Sequence, residues 1–226
     1  KNKKTIIFLE KPNLDQYDAR KAAVDGFSIL ANKKVFPFNN NIVDIKKIIK
    51  EIKINNEREI IIFGFTATIW NFFYKYKHEI KKKITKFDNI SIIHGGGWKK
   101  LENKKVSKSN FKLFMNKLGF KRIYNYYGLV EQIGSIFFEC KNGYFHTSCF
   151  SDIIIRDKFL KIQKNKSNGI VQLISLLPTS YPGFSILTQD EGAIYGEDDC
   201  KCGLKGKYFK IFGRVKKAEL RGCSNV

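Results

Sequence analysis

The chain has 226 residues, 43% hydrophobic and 14% aromatic, enough to bury a core that offsets the entropy of ordering it, which excludes a disordered tail. Its formal net charge of +21 raises nucleic acid as a partner. The basic residues are overwhelmingly Lys, however, with Arg only at Arg20, Arg58, Arg122, Arg156, Arg214 and Arg221, and base edges are read best by the bidentate Arg fork. A solvated Lys face is therefore the expectation, no nucleic acid is expected, and a basic nucleic-acid-binding module is the remote alternative.

Short apolar runs alternating with amphipathic stretches predict an α/β fold. Thr5 to Leu9 reads as a strand, and Asp18 to Ala31 as a helix with Asp15 or Asp18 near its start. Asn41 to Lys53 sets Ile42, Val43, Ile45, Ile48, Ile49 and Ile52 at near-helical spacing. Glu59 to Phe63 reads as a buried strand running through Gly64-Phe65-Thr66 into an aromatic helix around Ile69 to Tyr76. Ile90 to Ile93 predicts a strand ending in His94-Gly95-Gly96-Gly97-Trp98, followed by a helix from about Ser109 to Leu118 and a strand from Arg122 to Tyr126. From Ile136 onward the texture is β with Gly and Asn-Gly turns: Phe137-Phe138-Glu139, Ile153-Ile154-Ile155, Ile170 to Leu176 and Tyr208 to Phe212. The expected organisation is an α/β portion over about 1–135 and a β-rich portion with a hinge-like tail over about 136–226. The start at Lys1, directly before a strand, reads as a cut within a longer domain. No run approaches the roughly 20 apolar residues of a membrane helix and no secretory signal is legible, so a cytoplasmic protein is expected.

Three loops carry more than core chemistry. Gly95-Gly96-Gly97 after a strand permits positive φ and lets backbone approach a flat or anionic ligand; a simple turn is the plain alternative. Asn125-Tyr126-Tyr127-Gly128-Leu129-Val130-Glu131 combines an aromatic face suited to stacking, a glycine turn and a carboxylate suited to Mg²⁺. Downstream come Tyr181-Pro182-Gly183, Thr188-Gln189-Asp190-Glu191-Gly192 and Phe212-Gly213-Arg214.

In order and spacing this series resembles the adenylate-forming superfamily of acyl-CoA ligases, luciferases and peptide-synthetase adenylation domains. The likeness implies that Tyr127 stacks on adenine, Glu131 holds Mg²⁺, Asp190 meets the ribose hydroxyls and Gly213-Arg214 marks the hinge after the large domain. Gln189 stands where that superfamily has Gly, which bears on the local turn. The superfamily's upstream Ser/Thr/Gly-rich phosphate loop has no counterpart here, so the resemblance implies a partial adenylating domain, inactive alone.

A closer resemblance, over nearly the whole chain, is to bacterial acyl-protein synthetases, the component of the luminescence fatty-acid reductase complex that delivers acyl groups to a reductase. It rests on His94-Gly95-Gly96-Gly97-Trp98-Lys99-Lys100, Tyr127-Gly128-Leu129-Val130-Glu131-Gln132, Ser180-Tyr181-Pro182-Gly183 and Ala218-Glu219-Leu220-Arg221-Gly222-Cys223-Ser224. This implies ATP-dependent activation of a fatty or other carboxylic acid and acyl transfer to Cys223, with Arg221 and Lys217 lowering the thiol pKa, and an acyl reductase as protein partner. Implied nucleotide-binding positions are Gly95, Gly96, Gly97, Trp98, Tyr126, Tyr127, Gly128, Asp190 and Arg214; Cys223 and Glu131 are the catalytic pair. Phe65-Thr66-Ala67 and the helix with Trp70, Phe72 and Phe73 could line an acyl pocket or be plain core. A phenylacetate- or acyl-CoA ligase is the alternative enzyme.

Cys140, Cys149, Cys200, Cys202 and Cys223 are an odd set without a secretory signal, which favours metal or thiol chemistry over disulfides. Cys140 and His146, six residues apart, with Cys200-Lys201-Cys202-Gly203, supply four soft ligands for a structural Zn²⁺, with Cys149 as a substitute ligand. His78 and His94 read as surface and loop residues.

Overall fold

A computed structural model describes residues 4–12, 18–55, 58–98, 105–132 and 134–215. The chain divides into two compact units, one running to Asn125 and one beginning at Tyr126.

The first unit contains β1 (Lys4–Phe8), α1 (Ala19–Ser28), β2 (Lys33–Val35), β3 (Phe38–Asn39), β4 (Ile42–Val43), α2 (Ile45–Ile54), β5 (Glu59–Phe65), α3 (Thr66–Lys75), α4 (Lys77–Lys83), β6 (Ile90–Gly95) and α5 (Lys108–Leu118), and β7 (Arg122–Tyr127) leads out of it. Strands β2, β1, β5 and β6 lie side by side in parallel, with Ile6 opposite Ile61 and Ile62 opposite Ile92. Parallel strands are covered on both faces and need unbroken apolar runs. Ile6-Ile7-Phe8 and Ile60-Ile61-Ile62-Phe63 meet that need, and Ile90 to Ile93 does so apart from the polar Ser91; all are buried. On one side Ile7, Ile60, Ile62, Ile90 and Ile92 join α2, α3 and α5 in one core. Phe8 and Phe27 pack on Phe63 elsewhere, with the Phe27 and Phe63 rings 4.4 Å apart.

Local signals place the helix ends. The Asp18 carboxylate accepts from Lys21 N at 2.8 Å and starts α1; Ser107 does the same for α5 through Asn110 N, and Gly119 at φ 112° closes that helix. The helix expected from Asn41 begins instead at Ile45. Asn40 and Asn41 both adopt left-handed φ, 47° and 64°, the geometry of a tight hairpin turn, so Ile42 and Val43 pair with β3. Asp44 then caps α2 through Lys46 N. Its buried stripe, Ile45, Ile48, Ile49 and Ile52, contributes roughly 1.5–3 kcal/mol per side chain as an upper range. The Lys run at 81–83 forms the last turn of α4, a helix anchored by buried Ile80, where cations complement the C-terminal dipole.

The second unit holds β8 (Phe137–Phe138), β9 (Phe145–His146), β10 (Ser151–Arg156), β11 (Gly169–Ser175), β12 (Ser185–Glu197) and β13 (Lys207–Arg214). Strands β10-β11-β12-β13-β9 form an antiparallel sheet, and β8 pairs with the end of β7. Here burial alternates, as along β11, because one face alone packs inward. That face gives a core of Phe137, Phe145, Ile153, Ile155, Val171, Leu173, Ile194 and Phe209. The Thr188–Gly192 segment, read from the sequence as a turn, lies within β12, so Gln189 needs no special turn geometry. Gly192 sits at a register shift against β13, where a Cβ would come within 2.6 Å of the Lys210 carbonyl.

Candidate functional site

Ligands of open parallel sheets collect at the carboxyl ends of the strands, and in the first unit those ends carry the buried polar residues Glu10, Thr66 and His94. Glu10, after β1, is 4% exposed; its carboxylate accepts from Phe65 N at 3.0 Å and pairs with Arg20 Nε at 3.2 Å. Thr66 Oγ1 lies 3.0 Å from both His94 Nδ1 and the Gly95 carbonyl oxygen. The hydroxyl has one proton and the carbonyl can only accept, so Thr66 donates to Gly95 and accepts from His94 Nδ1–H. His94 is thus a buried strand residue and not the loop residue expected from the sequence. Burial, and secondarily the Lys108 charge, push its pKa down to about 4, leaving a neutral imidazole packed on Phe111 at 4.6 Å.

This pair fixes the start of the glycine turn. Gly96 and Gly97 follow at φ 72° and 62°, values glycine adopts without steric cost, and Trp98 is buried beside Trp70, ring centroids 6.1 Å apart. Phe72 and Phe73 belong to the packed core, with Trp70 against its margin.

The second unit brings the Tyr-Gly and Thr-x-Asp motifs together. Tyr127 Oη donates to Asp190 Oδ2 at 2.7 Å. Its ring packs within 6.0–6.4 Å of Phe137, Phe145 and Phe209. Desolvation first, then the Asp190 carboxylate, raises the phenol pKa well above its usual value, so it stays a donor. Thr188 Oγ1 donates to the Val171 carbonyl at 2.8 Å and accepts from Asp190 N at 3.0 Å, which holds the bulged strand so that Asp190 lies opposite exposed Arg214. Asp190 itself is partly exposed. Tyr126 pairs with Phe138, and a Cβ on Gly128 would stand 3.0 Å from the Ser135 carbonyl oxygen. Glu131 is exposed on a single 3-10 turn, Val130–Gln132, a carboxylate free of burial cost for a hydrated cation.

Gln132, next in the chain, is fully buried and donates to the Gly183 carbonyl at 2.9 Å, tying the Tyr-Gly segment to the Pro182-Gly183 loop. Sequence reasoning assigned it no role, although its place in the Glu131-Gln132 motif was the available signal. The Thr66–His94 pair was missed as well.

Cys140, His146, Cys200 and Cys202 converge, their ligand atoms all within 4.8 Å of one another. Cys149 is exposed and belongs to no such group among the described residues. Lys217, Arg221 and Cys223 lie outside the described residues. No helix among those described is long and apolar enough to cross a membrane.

Among solved structures the chain is similar to the O-succinylbenzoate coenzyme A synthetase of Bacillus subtilis in complex with ATP and magnesium, at 12% identity, covering 93% of this chain and 42% of that one, TM-score 0.58. It is also similar to the luciferase-like enzyme of the mealworm Zophobas morio, 14% identity, 95% and 49% coverage, TM-score 0.62. A 2-hydroxyisobutyryl-CoA ligase matches at 14% identity, 94% and 45% coverage, TM-score 0.65. The fold is that of adenylate-forming enzymes, and the chain spans less than half the length of these three structures. No curated protein matches. The family model described as acyl-protein synthetase, LuxE, matches residues 10–226, and the chain belongs to that family.

Proposed function

We propose that this chain is part of an ATP-dependent acyl-protein synthetase that activates a long-chain fatty acid as its acyl-adenylate and passes the acyl group to the Cys223 thiol for delivery to an acyl reductase. The carrying observation is the Tyr127–Asp190 hydrogen bond, which joins two motifs 63 residues apart in a member of this family. Asp190 Oδ2 is held by the phenol, and its second oxygen serves a ribose hydroxyl. The Tyr127 ring serves the purine, with Tyr126 and Gly128 shaping the neighbouring backbone, and the Gly95–Trp98 turn is the first unit's own candidate for contact with the nucleotide. Glu131 would hold Mg²⁺, which would supply charge stabilisation to the phosphates, and Arg214 answers the phosphate charge. A carboxylate oxygen of the acid attacks the α-phosphorus, the bond to the β-phosphate oxygen breaks, and pyrophosphate leaves. The Cys223 thiolate then attacks the acyl carbon, the bond to AMP breaks, and a thioester forms. Both steps suit a compartment that keeps thiols reduced, here the cytoplasm. The Cys/His cluster has no part in this chemistry, since none of its residues belongs to the nucleotide motifs.

Full-length protein incubated with ATP, Mg²⁺ and radiolabelled tetradecanoate tests the reading. Wild type is expected to carry a hydroxylamine-labile label, and Cys223→Ser to form adenylate without retaining label. Equal labelling of the two proteins excludes Cys223 as carrier. Acyl-CoA formation on adding coenzyme A, with no protein label at all, identifies a CoA ligase instead.

A further inference from the structure

We propose that Cys140, His146, Cys200 and Cys202 bind one Zn²⁺ in a closed tetrahedral site that fastens β9 and the turn before it to the loop joining β12 and β13. The donor set comes from two similar turns. Cys140-Lys141-Asn142-Gly143 turns back with Gly143 N–H donating to the Cys140 carbonyl at 2.9 Å, and Cys200-Lys201-Cys202-Gly203 with Gly203 N–H donating to the Cys200 carbonyl at 3.0 Å. Both glycines sit at positive φ, 76° and 92°. Each turn thus presents its sulfur, or pair of sulfurs, to one point, and β9 delivers His146 to the same point.

The spacing suits zinc. Zn–S near 2.3 Å and Zn–N near 2.0–2.1 Å in a tetrahedron imply a sulfur–nitrogen edge of about 3.6 Å and a sulfur–sulfur edge of about 3.8 Å. Cys202 Sγ stands 3.4 Å from His146 Nε2, close to that edge, and none of the ligand atoms is more than 4.8 Å from another. The surroundings favour the ligating forms. His146 Nδ1 faces the Lys205 carbonyl oxygen at 3.4 Å, which places its proton there and leaves Nε2 as the lone-pair donor. Leu204 N donates to Cys202 Sγ at 3.3 Å and Asn142 Nδ2 reaches Cys200 Sγ at 3.9 Å, hydrogen bonds that stabilise thiolates. The His146 ring also stacks on Tyr208, centroids 5.8 Å apart.

Three thiolates and one imidazole select zinc over the hard cations, which take oxygen ligands. A disulfide would consume two of the three sulfurs and strand the third beside a buried histidine. Four protein ligands leave no open position for water, so the metal is structural. Its location agrees: Glu197, the last residue of β12 and three before Cys200, is about 23 Å along the strand from Asp190 at strand rise.

Full-length protein loaded with Zn²⁺ and desalted is expected to retain close to one zinc per chain by elemental analysis. Replacement by Co²⁺ should give the intense visible bands and thiolate charge-transfer absorption of tetrahedral cobalt. Cys149→Ser should keep both signals, Cys202→Ser should lose them, and His146→Cys should retain metal with a spectrum shifted toward four sulfurs. Wild type that retains no zinc, a weak octahedral cobalt spectrum, or undiminished loading of Cys202→Ser overturns the site. None of these readouts passes through ATP, so failure here leaves the acyl-transfer reading intact, and the converse holds.

Discussion

The Thr66–His94 pair of the first unit and the Tyr127–Asp190 pair of the second use the same device, a hydroxyl hydrogen-bonded across neighbouring elements, in opposite electrostatic states. At Thr66–His94 all partners are neutral and buried, and the arrangement serves to hold a glycine turn. At Tyr127–Asp190 the acceptor is a partly exposed carboxylate with Arg214 opposite, and a charge is kept within reach of solvent. Neutral buried pairs fix backbone at little desolvation cost, whereas a charge held near the surface remains available to a ligand. The lesson is that the first pair should reveal itself in stability and the second in nucleotide affinity.

The largest expected effect tests the neutral side. An unfolded histidine takes its proton near pH 6.5, while folded His94 takes it near 4. Between those values the unfolded chain binds more protons, so stability is full above pH 6.5 and falls as the pH drops through this window. The loss is about 3 kcal/mol by pH 4. Urea unfolding followed from pH 7 to pH 4 measures it. His94→Asn keeps a donor toward Thr66 but cannot titrate, and should flatten that part of the profile. An unchanged acid slope in His94→Asn would show that the buried imidazole is not the linked group.

On the charged side, Asp190→Ala removes the carboxylate and orphans the Tyr127 hydroxyl. A charge-assisted hydrogen bond is worth about 1.5–3 kcal/mol, so ATP–pyrophosphate exchange by the full-length enzyme should lose roughly 10- to 100-fold in kcat/KM for ATP, with the acid KM little changed. A variant with wild-type exchange would remove Asp190 from the nucleotide site.

These two regions differ in how far the sequence disclosed them. Tyr127, Gly128 and Glu131 sit in one short segment and Thr188 with Asp190 in another, so a family resemblance carried by residue order could single them out, and Tyr127 and Asp190 do meet. The Cys/His cluster was readable because few residue types ligate soft metals. Thr66 and His94 were not, since their meeting depends on β5 and β6 pairing in the register that sets Gly64 opposite His94 and Phe65 opposite Gly95, a long-range choice with no local signature. Extents failed where two local signals competed. The Ile42 and Val43 spacing suits a helix until Asn40-Asn41 turns the chain, and β12, 13 residues long, was hidden by the glycines that mark its bulges.

A smaller effect is expected from Thr66→Val, which is nearly isosteric but leaves the Gly95 carbonyl and His94 Nδ1–H facing a methyl group. An unpaired buried polar group costs about 1–3 kcal/mol, so the melting temperature of the full-length protein should fall by several degrees. Thr66→Ser restores the hydroxyl and should recover most of the loss. If Val and Ser behave alike, packing and not the hydrogen bond holds the turn.

The finest probe of the contrast is Tyr127→Phe, which removes one oxygen and leaves the ring among Phe137, Phe145 and Phe209. Asp190 is partly exposed, so water can replace the lost donor and the net cost is about 1 kcal/mol. Stability should change little. The freed carboxylate gains rotational freedom, and the ordering once supplied by the phenol must come from ATP binding itself, which raises KM for ATP about fivefold while kcat holds. A fall in kcat at constant KM would mean that the phenol acts on the reacting phosphate and not through Asp190, the residue proposed to meet the ribose.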